Sequence, residues 1–194
     1  MSRKKKVSKK DRRLTWRAFD KNFIHFLSKR RFRFLTSFMR VISHIGDGYA
    51  WFFLCLLFVI IGFLQDGEFT LSGEVSTGVS IFISLLIQGI LQMVVKRLFG
   101  RERPYVKHDD ISKAIKPPDR FSFPSGHTAG AFTVSFVLYY YHPFISIPFF
   151  IFSGLIAFSR MYLGVHYLSD ILAGIVLGFI SSSLGIYLSL LISG

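Results

Sequence analysis

The sequence predicts an all-α fold: a polytopic membrane helix bundle with five or six transmembrane helices, preceded by amphipathic helices lying at the interface. Three observations carry this. Charge-free intervals run from Gly48 to Gln65, Val75 to Val95, Phe121 to Ser159 and Ile171 to Gly194, with lengths of 18, 21, 39 and 24 residues. A bilayer core asks for ~20 apolar residues per helix. The composition is 51% hydrophobic with 23 Phe, and a soluble domain of 194 residues could bury a core without apolar runs this long. The cations gather at the ends of the apolar runs, and the formal net charge is +13.

The N-terminal stretch MSRKKKVSKKDRR (1–13) reads as a disordered basic tail resting against lipid phosphates. From Leu14 to Ile45, Trp16, Phe19, Phe23, Phe26 and Leu27 recur at helical spacing, and Phe34, Leu35, Phe38, Met39 and Ile42 repeat the pattern. With Arg17, Lys21, Lys29 and Arg30 interleaved, these are interfacial helices. The alternative is that 32–45 crosses as a short sixth span, which Arg33 and Arg40 make costly. GDG (46–48) turns the chain into the first span. Residues 1–45 thus form one region and 46–194 a transmembrane core. The first 47 residues are too charged for a signal-peptide h-region.

The interval of 39 residues is too long for one crossing. YYYHPF (139–144) divides it, because Pro143 cannot continue a helix and His142 prefers an interface. The expected spans are 48–65, 75–96, 125–141, 144–160 and 170–192. QDGEFTLSGE (65–74) is a short acidic hairpin between the first two, and 97–122 the one long polar loop. Gly126, Gly130, Gly154, Gly174, Gly178 and Gly185 suit close helix packing. Cys55 is the only cysteine, so no internal disulfide forms.

Parity places the chemistry. In an antiparallel path of five helices, the end of span two, the start of three, the end of four and the start of five share one face. Lys96, Arg103, Ser125, His127, Arg160, His166 and Asp170 therefore meet at one bilayer surface. Lys96, Arg103 and Arg160 need a counter-charge there, and Glu102 and Asp170 are too few to supply it. A phosphate would, with Arg forking onto its oxygens. Lys96 and Arg103 lie seven apart, two helical turns, and so point one way before Pro104. In PSGH (124–127), Gly126 permits close backbone approach, the helix start offers free N–H groups and Ser125 adds a hydroxyl. His166 and Asp170 are four apart, on one helical face, so Asp170 can fix the imidazole tautomer. The other nitrogen of His166 then becomes a nucleophile toward phosphorus, with His127 as general acid. Each block alone has a plainer reading: a stop-transfer collar, a helix cap, an interfacial turn. Lys-x6-Arg-Pro, Pro-Ser-Gly-His and Ser-Arg-x5-His-x3-Asp in that order is not a chance arrangement.

These blocks resemble the signature of the type 2 phosphatidic acid phosphatase superfamily, which includes membrane lipid phosphatases, glucose-6-phosphatase and vanadium haloperoxidases. The match covers Lys96, Arg103, Pro104, Pro124, Ser125, Gly126, His127, Ser159, Arg160, His166 and Asp170. The resemblance implies that His166 forms a phosphohistidine oriented by Asp170. It implies that His127 protonates the leaving group and then activates water, while Lys96, Arg103, Ser125, Gly126 and Arg160 hold the phosphoryl oxygens. It implies no cofactor and no metal. The expected substrates are lipid phosphates or diphosphates: undecaprenyl diphosphate, phosphatidylglycerol phosphate, phosphatidic acid or lipid A phosphate.

Three rivals remain. A phosphotransferase would use the same residues and an alcohol acceptor. A haloperoxidase is disfavoured by the short, membrane-bound chain. A non-catalytic lipid-binding or transport protein would place its polar groups at mid-membrane. The expected partners are the lipid substrate and a bilayer with anionic lipids, not nucleic acid. The expected location is the bacterial plasma membrane. All 24 Lys and Arg fall on one side of the five-span path, which puts the active site at the cytoplasmic face. Many bacterial members of the superfamily work at the outer face, and a crossing at 32–45 would turn this site outward.

Overall fold

The computed structural model describes residues 9–66 and 73–193. Among these the chain forms eight helices and no strand: α1 (Lys9–Lys29), α2 (Arg33–Ile45), α3 (Gly48–Asp66), α4 (Gly73–Phe99), α5 (Pro104–Lys107), α6 (Gly126–Tyr141), α7 (Pro143–Tyr162) and α8 (Leu168–Ser193). The all-helical bundle expected from the sequence is what forms.

Helices α3, α4, α7 and α8 are long and apolar enough to cross a membrane. The expected third span is shorter. Helix α6 has 16 residues, about 24 Å, against a hydrocarbon core of about 30 Å. It is buried nearly all round, from Thr128 to Leu138, because α4, α7 and α8 surround it. The break at YYYHPF is as expected: His142 ends α6, and Pro143 opens α7, where its missing N–H costs nothing. The alternative sixth span, 32–45, is occupied by helix α2, whose 13 residues reach about 20 Å against a hydrocarbon core of about 30 Å.

The N-terminal region departs from the expectation in two ways. Helix α1 already runs from Lys9, so 9–13 are helical; the remainder of the basic tail lies outside the described residues, as does most of the acidic hairpin. The apolar residues of α1 also divide between two faces. Ile24 and Leu27 are buried, with Phe23 beside them, against Ala157, Met161, Tyr167 and Ile171. Trp16, Phe19 and Phe26 remain exposed. Helix α2 does likewise, burying Met39 and Ile42 while exposing Phe34 and Phe38.

Two arginines tie this region to the polar loop. Arg31 donates to the carbonyls of Tyr162 and Ser112, each at 2.7 Å, and Arg40 donates to that of Ala114 at 2.8 Å. The loop is itself ordered by an isolated antiparallel bridge between Glu102 and Phe121.

Glycine explains how tightly α8 meets α6. A Cβ at Gly178 would stand 2.9 Å from the Ala129 carbonyl oxygen and 3.0 Å from the Thr133 nitrogen. Gly154, expected to serve the same purpose, faces open space.

Candidate active site

The three cations sit where helices end. Lys96 lies in the last turn of α4. The helix does not continue to Arg103 as the seven-residue spacing suggested. It stops at Phe99, and Gly100 takes a left-handed φ of 53°. Arg103 precedes the next helix, which Pro104 opens. The two cations still converge, because both reach Asp119 in the loop. Lys96 Nζ lies 2.5 Å from Asp119 Oδ2, and Arg103 Nη2 lies 2.9 Å from Oδ1. This corrects the expectation that Glu102 and Asp170 are the only carboxylates at hand and too few to serve as counter-charge. Burial pushes the Asp119 carboxyl up, but its bonds to Lys96 and Arg103 outweigh that and hold it below its ordinary value.

Arg160, in the last turn of α7, is 1% exposed. Its Nη1 donates to the Ser43 hydroxyl, while Nε and Nη2 are buried with no partner among the described residues. Buried guanidinium N–H groups call for an acceptor.

His166 precedes α8, and Asp170 lies in the first turn of that helix, so the two do not share a helical face. The nearest acceptor for His166 Nδ1 is the Ser122 carbonyl at 2.7 Å, with Asp170 Oδ2 at 3.5 Å. The loop approaches the ring more closely than the carboxylate does. Asp170 instead accepts from the Tyr167 N–H at 2.9 Å and pairs with Arg101 at 2.6 Å. His166 Nε2 lies 3.1 Å from Arg103 Nη1. With Nδ1 as donor, Nε2 keeps its lone pair toward the cations. Burial first, then the positive charges of Arg103, Arg160 and Lys96, hold this imidazole neutral, well below its ordinary pKa.

His127, in the first turn of α6, has its Nε2 2.7 Å from Asp47 Oδ1, a residue of the α2–α3 turn. Gly126 stands against the Gln92 amide, where a Cβ would collide. Ser125 is buried and pairs with the Thr128 hydroxyl at 2.9 Å. It is not among the cavity-lining residues. Its backbone N–H donates to the Asp170 carbonyl at 3.1 Å.

Lys96, Arg103, His127, Arg160 and His166 line one cavity of about 380 Å³, with Gly126, Asp47 and Asp119. Gln88 and Gln92 line its middle, and Trp51, Phe52, Phe82, Leu85 and Leu86 its far arm between α3 and α4. Phe52, Phe82 and Leu86 are each about half exposed, so this arm opens on the outer side of the bundle. The cavity can therefore take an anion at one end and an alkyl or isoprenoid chain at the other.

The model of the PAP2 superfamily matches residues 77–191, more than half of the chain. The chain belongs to the PAP2 superfamily. Phosphatidylglycerophosphatase B of Bacillus subtilis is 34% identical over 157 residues, which cover 75% of this chain and 71% of that protein. Lipid A 1-phosphatase of Rhizobium johnstonii is 34% identical over 107 residues, covering 52% of this chain and 43% of that one. The chain thus spans less than half the length of that curated relative. A crystal structure of the first transmembrane PAP2 type phosphatidylglycerolphosphate phosphatase from Bacillus subtilis superposes with a TM-score of 0.71 at 24% identity, covering 87% of this chain and 83% of that one. That likeness is one of fold.

Sequence reasoning missed the acidic partners in this PAP2 chain. Asp47 and Asp20 precede the PAP2 match, and Asp119 is one of four carboxylates in the polar loop, beside Glu102, Asp109 and Asp110. None belongs to a spacing pattern. The one available signal was charge balance: three cations at a membrane edge need anions, and so few carboxylates are near that each invites a partner search.

Proposed function

We propose that this chain is an integral-membrane, metal-independent phosphatase of lipid phosphates or diphosphates, working through a phosphohistidine on His166. The observation that supports it best is the single cavity that joins three cations and two imidazoles to an apolar arm. In this reading the phosphoryl group lies among Lys96, Arg103 and Arg160, accepting from the free Nε and Nη2 of Arg160. His166 Nε2 attacks phosphorus. The N–P bond forms as the P–O bond to the lipid breaks, and His127 gives its proton to the departing oxygen. His127 then takes a proton from water, which attacks phosphorus and releases phosphate and free His166. Ser122 and Asp170 hold the Nδ1 proton throughout.

Gly126 supports close approach at the start of α6. Ser125 acts by fixing the turn that carries His127, since its hydroxyl is occupied by Thr128. The matched relatives are named for lipid A, phosphatidylglycerophosphate and decaprenylphosphoryl-5-phosphoribose, so the substrate class is a phosphate on a long-chain lipid. The site faces the cytoplasm of a bacterial plasma membrane.

The test is His166→Ala in purified protein, assayed for phosphate release across a panel of these lipids. Loss of turnover by about a thousandfold or more is expected for removal of a covalent nucleophile. Undiminished release from every lipid that the parent protein hydrolyses overturns the reading.

A further inference from the structure

We infer that Asp20, on the N-terminal helix α1, is a positioning residue for the proposed nucleophile, acting through Arg101. The inference rests on the phosphatase reading above. Asp20 is 5% exposed, although it belongs to a helix whose outer face is open. Its Oδ1 accepts from the Ser169 N–H at 3.1 Å, and its Oδ2 accepts from the Ser169 hydroxyl and from Arg101 Nη2, the latter at 3.0 Å.

Arg101 is the hub. Its Nη1 donates to Asp170 Oδ1 and to the Ser169 hydroxyl, each at 2.6 Å. Its guanidinium lies 4.0 Å from the centre of the Tyr167 ring. Its backbone carbonyl accepts from the Ser122 N–H at 2.8 Å. Ser122 and Asp170 are the two groups that face His166 Nδ1. One residue thus fixes both acceptors of the ring, the first with its main chain and the second with its side chain.

Asp20 holds that residue from the far side. A guanidinium between two carboxylates has its fork direction defined; with one carboxylate it can rotate. Asp20 lies outside residues 77–191, so the clamp comes from a part of the chain that the superfamily match does not reach. Helix α1 is then a working part of the site as well as a contact with lipid.

The experiment is a double-mutant cycle in full-length purified protein with D20N, R101Q and the D20N/R101Q pair, alongside D20E and the surface control Lys21→Ala. Phosphate release gives kcat and KM for a lipid that the parent hydrolyses, and a thermal melt in detergent confirms folding. D20N is expected to lower kcat about tenfold with KM within about twofold, as for loss of an orienting partner. D20E is expected to recover most of the loss, the pair to be no worse than R101Q alone, and Lys21→Ala to match the parent. Unchanged kcat in a folded D20N protein overturns the inference. So do additive losses in the pair. If D20N fails to fold, the comparison of D20E and the pair with R101Q decides it. A parent protein that releases phosphate from no lipid refutes the phosphatase reading itself, a result distinct from all of these.

Discussion

His166 sets the behaviour of the site at the scale of one residue. Buried and surrounded by Arg103, Arg160 and Lys96, its ring stays neutral in the folded chain. On unfolding it regains an ordinary pKa of about 6.5. Below that pH the unfolded chain binds a proton that the folded chain refuses, so this contribution to stability is complete above about pH 6.5 and declines as pH falls. The melting temperature of the substrate-free protein should drop between about pH 7 and pH 5, by at most about 1.4 kcal/mol of stability per pH unit from this group. His166→Gln should flatten that drop; an identical slope in the variant would count against the account. The residues whose chemistry needs a fixed order, Lys96, Arg103, His127, Arg160 and His166, were legible in the sequence. Apart from Asp170, their carboxylate partners were not. Asp20 finds Ser169 across 149 positions and Asp47 finds His127 across 80, and no local pattern encodes such pairings.

At the scale of elements, α6 depends on its neighbours more than on its length. Small residues let α8 lie close against it, and Ser135 of α6 meets Ser153 of α7 through their hydroxyls at 2.9 Å. Gly178→Ala would press a methyl onto the α6 backbone. A loss of about 1–3 kcal/mol is expected from such overpacking, read as a lower melting temperature. Gly154→Ala, in open space, should leave the melt unchanged or slightly raise it, since Ala is the better helix former. Equal effects at the two positions would refute the packing argument. The helices and the Pro143 break could be read from apolar runs and proline chemistry. The end of α4 could not. The Lys96–Arg103 spacing is compatible with a helix, and it was Gly100 in a left-handed turn that decided otherwise.

At the scale of the whole molecule, the parity of the helices fixes which groups share a face but not which face. On the orientation proposed above, with the lysines and arginines of the five-span path inside, loop 105–120 would lie in the cytoplasm. Cys55 is the single cysteine and is buried, so Lys116→Cys on the exposed loop gives a clean reporter. A membrane-impermeant maleimide should label it only after the cells are opened; labelling of intact cells would put the site outside. The apolar arm between α3 and α4 has a further consequence. In the phosphatase reading proposed above, a mouth beside these two spanning helices would face hydrocarbon, and a lipid would arrive by diffusing sideways in its own leaflet without passing through water. Turnover then follows the mole fraction of substrate in the surface, and adding inert lipid slows the enzyme even when the amount of substrate per volume is held constant.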